Sequence, residues 1–159
     1  MKKIAVLIAI GVAGWLAWHR VASQNPETID DPVYAEFRVD KTVEGRELNM
    51  ALFGEMASEE DCRERAQRVW TKVVEDCEAC TMSMPACKAD LEPRYLRLFD
   101  ERAIHSTYLS FTRGSRYERN GRMVVYGLTV EEGDAVCDAI AVEFRKKYTG
   151  EVRCVHAKN

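Results

Sequence analysis

The stretch CEACTMSMPAC, residues 77–87, brings three cysteines and two methionines together within eleven positions. Thiolates and thioethers are soft ligands that suit copper(I), so this composition is typical of a site for a soft metal ion. A zinc site with Cys-x2-Cys spacing usually needs a second ligand pair, and His105 and His156 are both distant in sequence. The sequence therefore predicts no metal and no other cofactor, with copper binding as an alternative. The alternative ligands are Met82, Met84, Cys77, Cys80 and Cys87.

Cys77 and Cys80 also have the Cys-x-x-Cys spacing of thiol–disulfide catalysts. A reactive cysteine of that kind generally begins a helix, where the helix dipole stabilises the thiolate. The apolar periodicity predicts instead that a helix ends at Cys77. Glu75, Asp76 and Glu78 add negative charge, which disfavours a thiolate. We therefore expect a poor nucleophile here, and thiol-redox chemistry is kept as an alternative only.

The third interpretation of these cysteines is a set of structural disulfides. The sequence has six cysteines, an even number that is typical of proteins exported to an oxidising compartment. Similar cysteine spacing in two halves of the chain predicts Cys62–Cys80 and Cys137–Cys154, which leaves Cys77–Cys87. The length of the first helix favours another set. A strand that returns along about 22 Å of helix brings Cys87 level with Cys62, and Cys77–Cys80 is then the remaining pair.

Residues 1–23 have the composition of an export segment. Two lysines precede residues 4–18, which are uncharged and apolar. Fifteen helical residues cover about 22 Å, less than the hydrocarbon core of about 30 Å, and this favours a cleaved signal peptide. Trp15 and Trp18 at the far end favour a retained anchor. We expect the folded domain in the periplasm, either held at the inner membrane through residues 4–18 with the N-terminus inside, or secreted after cleavage.

Residues 24–32 are polar, contain two prolines and are predicted to be a linker to a domain over residues 33–159. Apolar spacing predicts one helix that is capped by Ser58 and ends at Cys77, and a second that starts after Thr129 and extends toward Gly150. The stripe of the first helix is Cys62, Ala66, Val69, Trp70, Val73, Val74 and Cys77. That of the second helix is Cys137, Ile140, Ala141, Phe144 and Tyr148.

Strand signals surround both helices, and residues 49–54 match residues 122–127 in apolar pattern and terminal glycine. Each half, about 33–90 and 104–157, therefore reads strand–strand–helix–strand, and a short helix near Pro93 lies between them. The predicted fold class is α+β, an antiparallel sheet with two helices on one face. In detail we expect a ferredoxin-like tandem ββαβ repeat, stapled by disulfides and preceded by one N-terminal hydrophobic helix.

An arginine-rich segment is the best candidate for a contact surface. It follows a predicted strand and ends at the next one, so we expect it at a hairpin tip. Arginine and tyrosine are enriched at the energetic centres of interfaces, and arginine also binds phosphates. The alternative is a solvated loop whose charge protects a sheet edge from aggregation. The candidate partner-binding residues are Arg113, Arg116, Tyr117, Arg119 and Arg122.

Catalytic sequence motifs for nucleophiles, metal hydrolysis or phosphate loops are not found, so we expect a protein that is not an enzyme. A net charge of −3 and a pI near 5.7 argue against nucleic-acid binding. The predicted function is an accessory or assembly protein of the bacterial envelope that binds an envelope protein or complex. A peptidoglycan contact is the alternative, because the strand–glycine–helix–strand rhythm resembles peptidoglycan-binding domains of the sporulation-related type.

Overall fold

The computed structural model describes residues 29–77 and 80–158 of the chain. In this part of the chain, seven strands form one antiparallel sheet and three helices pack on it, which confirms the predicted α+β class. The predicted N-terminal helix falls within residues 1–23, outside the described residues. The elements are, in chain order, β1 (Val33–Val43), β2 (Arg46–Met56), α1 (Glu59–Asp76), β3 (Thr81–Met82), β4 (Ala86–Lys88), α2 (Pro93–Phe99), β5 (Tyr108–Thr112), β6 (Gly121–Tyr126), α3 (Val130–Arg145) and β7 (Glu151–Val155).

Two hairpins form the centre of the sheet. The strand order is β3-β1-β2-β6-β5-β7, with β4 also paired to β1, so the two hairpins meet where β2 pairs with β6. The second half of the chain has the predicted strand–strand–helix–strand order, whereas in the first half two short strands, β3 and β4, follow the helix where one was predicted. A ferredoxin-like repeat is not confirmed, because the strand that follows each long helix pairs with the first strand of its own hairpin.

Helix α1 begins as its sequence predicts. The Ser58 hydroxyl accepts a hydrogen bond from the Asp61 backbone N–H, and three acidic residues in the first turn favour the helix dipole. The buried part of its stripe contacts β1, where the rings of Trp70 and Phe37 meet edge to face at 5.8 Å. Val69 belongs to the same predicted stripe but is 42% exposed, so the sheet covers only part of the apolar surface of α1.

Helix α3 starts with a capping box, in which Thr129 and Glu132 each accept a backbone hydrogen bond from the other residue. It ends at Arg145, before the predicted stop at Gly150. Its middle is buried on the sheet, whereas Phe144 near its end is 43% exposed. Both long helices therefore carry apolar side chains that the sheet does not cover.

Helix α2 lies on the opposite face of the sheet, where we had predicted no helix. It is started by Pro93, as expected, and buries Tyr95 and Leu98 against that face. The ring of Tyr95 contacts Phe53 at 4.5 Å between centroids. The sheet is consequently covered on both sides, and each side has its own core cluster.

Arg122 anchors this second layer. Its guanidinium is 4% exposed and donates hydrogen bonds to the carbonyl oxygens of Leu98 at 2.7 Å and Phe99 at 3.3 Å, at the end of α2. It also donates to the Phe111 carbonyl oxygen at 2.9 Å. Carbonyls at a helix C-terminus lack partners within the helix, and a cation there is favourable. Arg122 therefore has a structural position in the core.

The disulfides join Cys62 to Cys87, Cys77 to Cys80 and Cys137 to Cys154. The pairing taken from cysteine spacing is wrong in the first half, and the set taken from helix length is confirmed. After α1 the chain turns and runs back along β1, so that β4 brings Cys87 to the start of the helix. Cys87 is thus the counterpart of Cys154, since each joins a long helix to the strand that returns beside it.

The glycine match between residues 49–54 and 122–127 does not correspond to equivalent positions. Gly54 pairs with Gly121 across the β2–β6 junction, in regular strand conformation. Gly127 has a φ of +89° and approaches the carbonyl oxygen of Glu47 so closely that a side chain would not fit. The two glycines of the proposed repeat therefore have different roles, one in a ladder and one in a turn.

Candidate binding groove

A groove of about 570 Å³ opens between α1 and α3 on the face of the sheet that these helices share. Helix α1 packs mainly on β1 and β4, whereas α3 packs on β5 and β7. The central strands β2 and β6 are left between them and form the floor. This space is open to solvent, and we call it the groove throughout.

Gly121 gives the groove its depth, whereas the space above its partner Gly54 is taken by the end of the Met56 side chain. Gly54 and Gly121 pair with each other, and alternation along the strands points both positions toward the helices. Leu52 and Met123, paired two residues further along the same ladder, supply the adjacent apolar floor. A Cβ added at Gly121 would lie 3.4 Å from the carbonyl oxygen of Phe53, an ordinary contact. The space above Gly121 therefore admits a Cβ without a clash and is bordered by the Phe111 ring at 3.6 Å.

Apolar side chains from both helices form the walls. Val69 and Val73 line the groove from α1, and Phe144 lines it from the end of α3. Phe111 of β5 closes this end, with its ring 5.1 Å from Phe144 and 5.6 Å from Tyr148 between centroids. These helix residues were predicted to be core residues. Instead they are the apolar lining of a groove that the chain leaves open.

Tyr148 connects the aromatic end of the groove to the β5–β6 loop. Its hydroxyl donates a hydrogen bond to the Arg119 carbonyl oxygen at 2.6 Å. Burial, together with the negative charge of Glu118, raises the pKa of Tyr148 to about 12. The phenol therefore stays protonated at physiological pH and remains a hydrogen-bond donor that fixes the loop.

The rim of the groove is positively charged. Arg65, Arg68 and Lys72 lie along α1 with the spacing of one helix face, and Arg119 lies on the loop before β6. Among the described residues that line the groove, none is Asp or Glu. Arg68 pairs with Glu64 at 2.8 Å, but both side chains are well exposed, so this ion pair is weak. The groove thus combines an apolar interior with a cationic edge.

Asp61 holds two of the rim arginines in place. Its carboxylate accepts hydrogen bonds from Arg65 at 2.6 Å, Arg119 at 2.7 Å and the Ala57 backbone N–H at 3.0 Å. Burial by itself raises the pKa of Asp61, but the hydrogen bonds from Arg119 and Arg65 outweigh it and lower the pKa to about 2. This carboxylate therefore ties the start of α1 to the loop at the mouth of the groove.

The structure divides the predicted arginine-rich contact surface. Arg122 is in the core and Arg119 is held by Asp61, so neither is a freely presented side chain. Arg116 and Tyr117 are exposed and stack on each other, with 4.8 Å from the guanidinium carbon to the ring centroid. Arg113 is partly buried beside them. Only part of the predicted surface is therefore available to a partner.

The same loop borders the start of the described chain. Arg113, Arg116 and Arg119 line a hollow of about 290 Å³ together with Ala57 and residues 29–31. Two of those N-terminal residues are Asp30 and Asp31, so the chain places acidic residues next to the arginines. The described chain therefore begins beside this loop and close to one end of the groove.

The Cys–Met stretch is a disulfide-linked turn and edge. Cys77, Cys80 and Cys87 are all in disulfide bonds, which removes their thiolates as metal ligands or nucleophiles in this state. Met82 pairs with Val39 at the edge of the sheet, and Met84 is 69% exposed. Within residues 29–77 and 80–158, no group of three or more His, Cys, Asp or Glu is arranged to hold a metal ion.

A threonine, an aspartate and a histidine meet near the C-terminus. The Thr107 hydroxyl donates to Asp134 at 2.5 Å, and His156 Nδ1 lies 2.9 Å from the same carboxylate oxygen. The hydrogen bond with Asp134 raises the pKa of His156. Because the threonine and the histidine contact the carboxylate rather than each other, the histidine is not placed to activate the hydroxyl. Thr107 also accepts the Ala157 backbone N–H at 3.0 Å, so the cluster fastens the end of the chain.

Comparison with known proteins gave no relative. No protein family matches the sequence, and neither a curated protein nor a solved structure is significantly similar to the chain. In the part of the chain that the structure describes, no helix has the length and apolar character needed to span a membrane. The apolar residues 4–18 lie outside that part.

Proposed function

We propose that this protein is a non-enzymatic interaction protein of the bacterial envelope and that it docks a segment of a partner protein in the groove. The observation that carries the proposal is the groove itself. A large apolar surface on the floor and walls is left uncovered, although the rest of the domain is well packed on both faces of the sheet. Contiguous exposed apolar surface of this kind marks interaction sites in soluble domains.

The proposed location is supported by the disulfides and by the composition of the N-terminal sequence. All six cysteines are paired, and such bonds persist in oxidising compartments such as the periplasm. We propose that residues 4–18 export the chain and hold it at the inner membrane, or are cleaved after export. Arg113 and Arg116 lie beside residues 29–31, where the described chain begins, which supports a second contact of the partner at this loop.

Protein docking is favoured over glycan binding by the lining of the groove. Peptidoglycan presents many hydroxyl and amide groups, and each of them needs a hydrogen-bond partner when it is buried. The floor and walls present Leu52, Val69, Met123 and Phe144, which offer no polar side-chain atoms. An apolar segment of a protein matches such a surface without leaving polar groups unpaired.

Site-specific photo-crosslinking in intact envelopes tests this function. A photoreactive amino acid replaces Val69 in the groove of the full chain, and the matched control replaces Val142, which is 51% exposed on α3 but does not line the groove. We expect one crosslinked protein at Val69 and none at Val142. That protein, once identified by mass spectrometry and purified, must also bind the full chain directly. Identical products at both positions, or no product at Val69, would refute a docking function for the groove.

A further inference from the structure

The charge and shape of the groove together indicate what kind of segment docks there. We infer that the occupant is an amphipathic helix of a partner protein, with its apolar face in the groove and acidic residues along the flank that faces α1. This inference rests on the proposed docking function and specifies its partner.

The open side of the groove favours a helix over an acyl chain. An acyl chain is apolar all round, so the surface turned toward the opening would remain in contact with water. An amphipathic helix places its polar side at the opening and its apolar side on Leu52, Met123 and Phe144. Recognition of a helix by an apolar groove is also a recurring mode of peptide binding.

The rim determines the charge of the occupant. Arg65, Arg68 and Lys72 lie within residues 65–72 of α1, which corresponds to about 10 Å along the helix. A second helix that lies beside α1 would present residues about one turn apart to these cations. Acidic residues at those positions would gain attraction, whereas basic residues would be repelled. Arg119, at the loop end of the same groove, shares the Asp61 carboxylate with Arg65, so these three side chains together carry one net positive charge.

Repulsion between like charges at the rim argues against the protein's own N-terminal segment as the occupant. Residues 4–18 are apolar and the described chain begins near one end of the groove, so distance does not exclude this segment. However, Lys2, Lys3 and Arg20 flank it with positive charge. Like charges at the rim disfavour this docking, whereas an acidic helix from another protein fits both the interior and the edge.

Two synthetic peptides serve as probes of the inference. Both have about 18 residues, enough for roughly 27 Å of helix, and share one leucine face. One carries glutamate along the flanks of that face and the other carries lysine. Binding to the full chain in phosphatidylcholine nanodiscs is measured by fluorescence anisotropy, with empty nanodiscs subtracted. A photoreactive group in each peptide maps its contacts. We expect the glutamate peptide to bind about tenfold more tightly at low salt and to crosslink to groove residues.

A charge-reversed variant and a matched control complete the experiment. In the Arg68→Glu, Lys72→Glu double variant the preference should invert toward the lysine peptide. Arg63→Glu is the control, since Arg63 is exposed on the same helix and does not line the groove, and it should leave the preference for glutamate in place. Equal binding of the two peptides, or an unchanged preference in the double variant, would overturn the inference.

The two proposals fail in different ways. If Val69 captures a partner that binds the groove through a strand or through a basic helix, the docking function stands and the helix inference is wrong. If Val69 crosslinks to a second copy of this chain, the inference is also wrong, and the groove is an interface between copies. If no protein is captured at Val69, the docking function itself is wrong.

Discussion

Gly121→Val fills the floor of the groove while leaving the fold intact. Gly121 lies in regular strand conformation, so a side chain meets no backbone strain. An added Cβ has its nearest contacts at 3.4 Å to the Phe53 carbonyl oxygen and 3.6 Å to the Phe111 ring, both ordinary separations. The two methyl groups of valine then project into the space that a docked helix would occupy.

The expected effects on stability and on binding have opposite signs. Replacing a strand glycine removes a conformational penalty of about 0.5–1 kcal/mol, and partial burial of valine adds further stabilisation. We therefore expect the free energy of unfolding to rise by about 1 kcal/mol, or at least not to fall. The side chain displaces two to three methylene-sized groups of the ligand, at about 0.8 kcal/mol each. This corresponds to a loss of about 2 kcal/mol, or roughly 30-fold in Kd.

The assay measures both quantities on the same preparation. Urea unfolding gives the stability of Gly121→Val, and anisotropy with the glutamate peptide gives its affinity. Gly121→Ala adds a single methyl group and should give an intermediate loss of binding. A variant that is as stable as the wild type and binds equally well would show that the groove is not the binding site. A variant that is strongly destabilised would show that the floor is not open as described.

The remaining predictions concern the disulfides, the core arginine and the rim carboxylate. A disulfide stabilises by restricting the unfolded chain, and the effect grows with the length of the loop that it closes. Loss of Cys62–Cys87, which closes a loop of 25 residues, should lower the free energy of unfolding in urea by about 3.5 kcal/mol, whereas loss of Cys77–Cys80, which closes a loop of three, should lower it by about 1.5 kcal/mol. Equal losses would contradict this argument from loop entropy. Arg122→Met should lower stability by about 2–4 kcal/mol because the α2 carbonyls lose their donor, while the exposed Arg116→Met should change it by less than about 0.5 kcal/mol. The pKa of Asp61 is about 2 in the folded state against 3.8 in the unfolded state, so Asp61 contributes about 2 kcal/mol to the free energy of unfolding above pH 4 and loses this contribution as the pH falls toward 2. Asp61→Asn should remove that part of the dependence of stability on pH. A variant whose stability varies with pH as in the wild type would refute the assignment.

The long helices could be predicted because their signals are local. Ser58 and Thr129 cap the two helices as their sequences indicate, and the apolar spacing gives the correct face in each. The groove could not be predicted in the same way. Apolar periodicity identifies a face that avoids water, but it does not say whether the sheet, another helix or a partner covers that face. Val69 and Phe144 have the spacing of core residues and yet remain exposed.

Two patterns in the sequence already indicated features of the structure that we did not predict from them. Residues 121–126 alternate as a strand, and this alternation places Arg122 on the face opposite Met123, away from the contact surface that we predicted. The apolar stripe of α1, which includes both Val69 and Val74, is wider than packing on one sheet requires. The disulfide pairs depend on where the strand that follows α1 returns along the helix. The length of the helix predicts that position correctly, whereas the spacing of the cysteines does not.

The three disulfides also determine where the domain can open. Each bond stays within one half of the chain, so only non-covalent contacts hold the β2–β6 junction, among them the backbone ladder and the Asp61–Arg119 ion pair. Helix α1 belongs to one half and α3 to the other, and an occupant of the groove touches both. Binding must therefore stabilise the junction by mass action and slow its local unfolding, while the covalently closed halves stay unaffected. Amide hydrogen exchange across β2 and β6 is consequently a direct record of whether the groove is occupied.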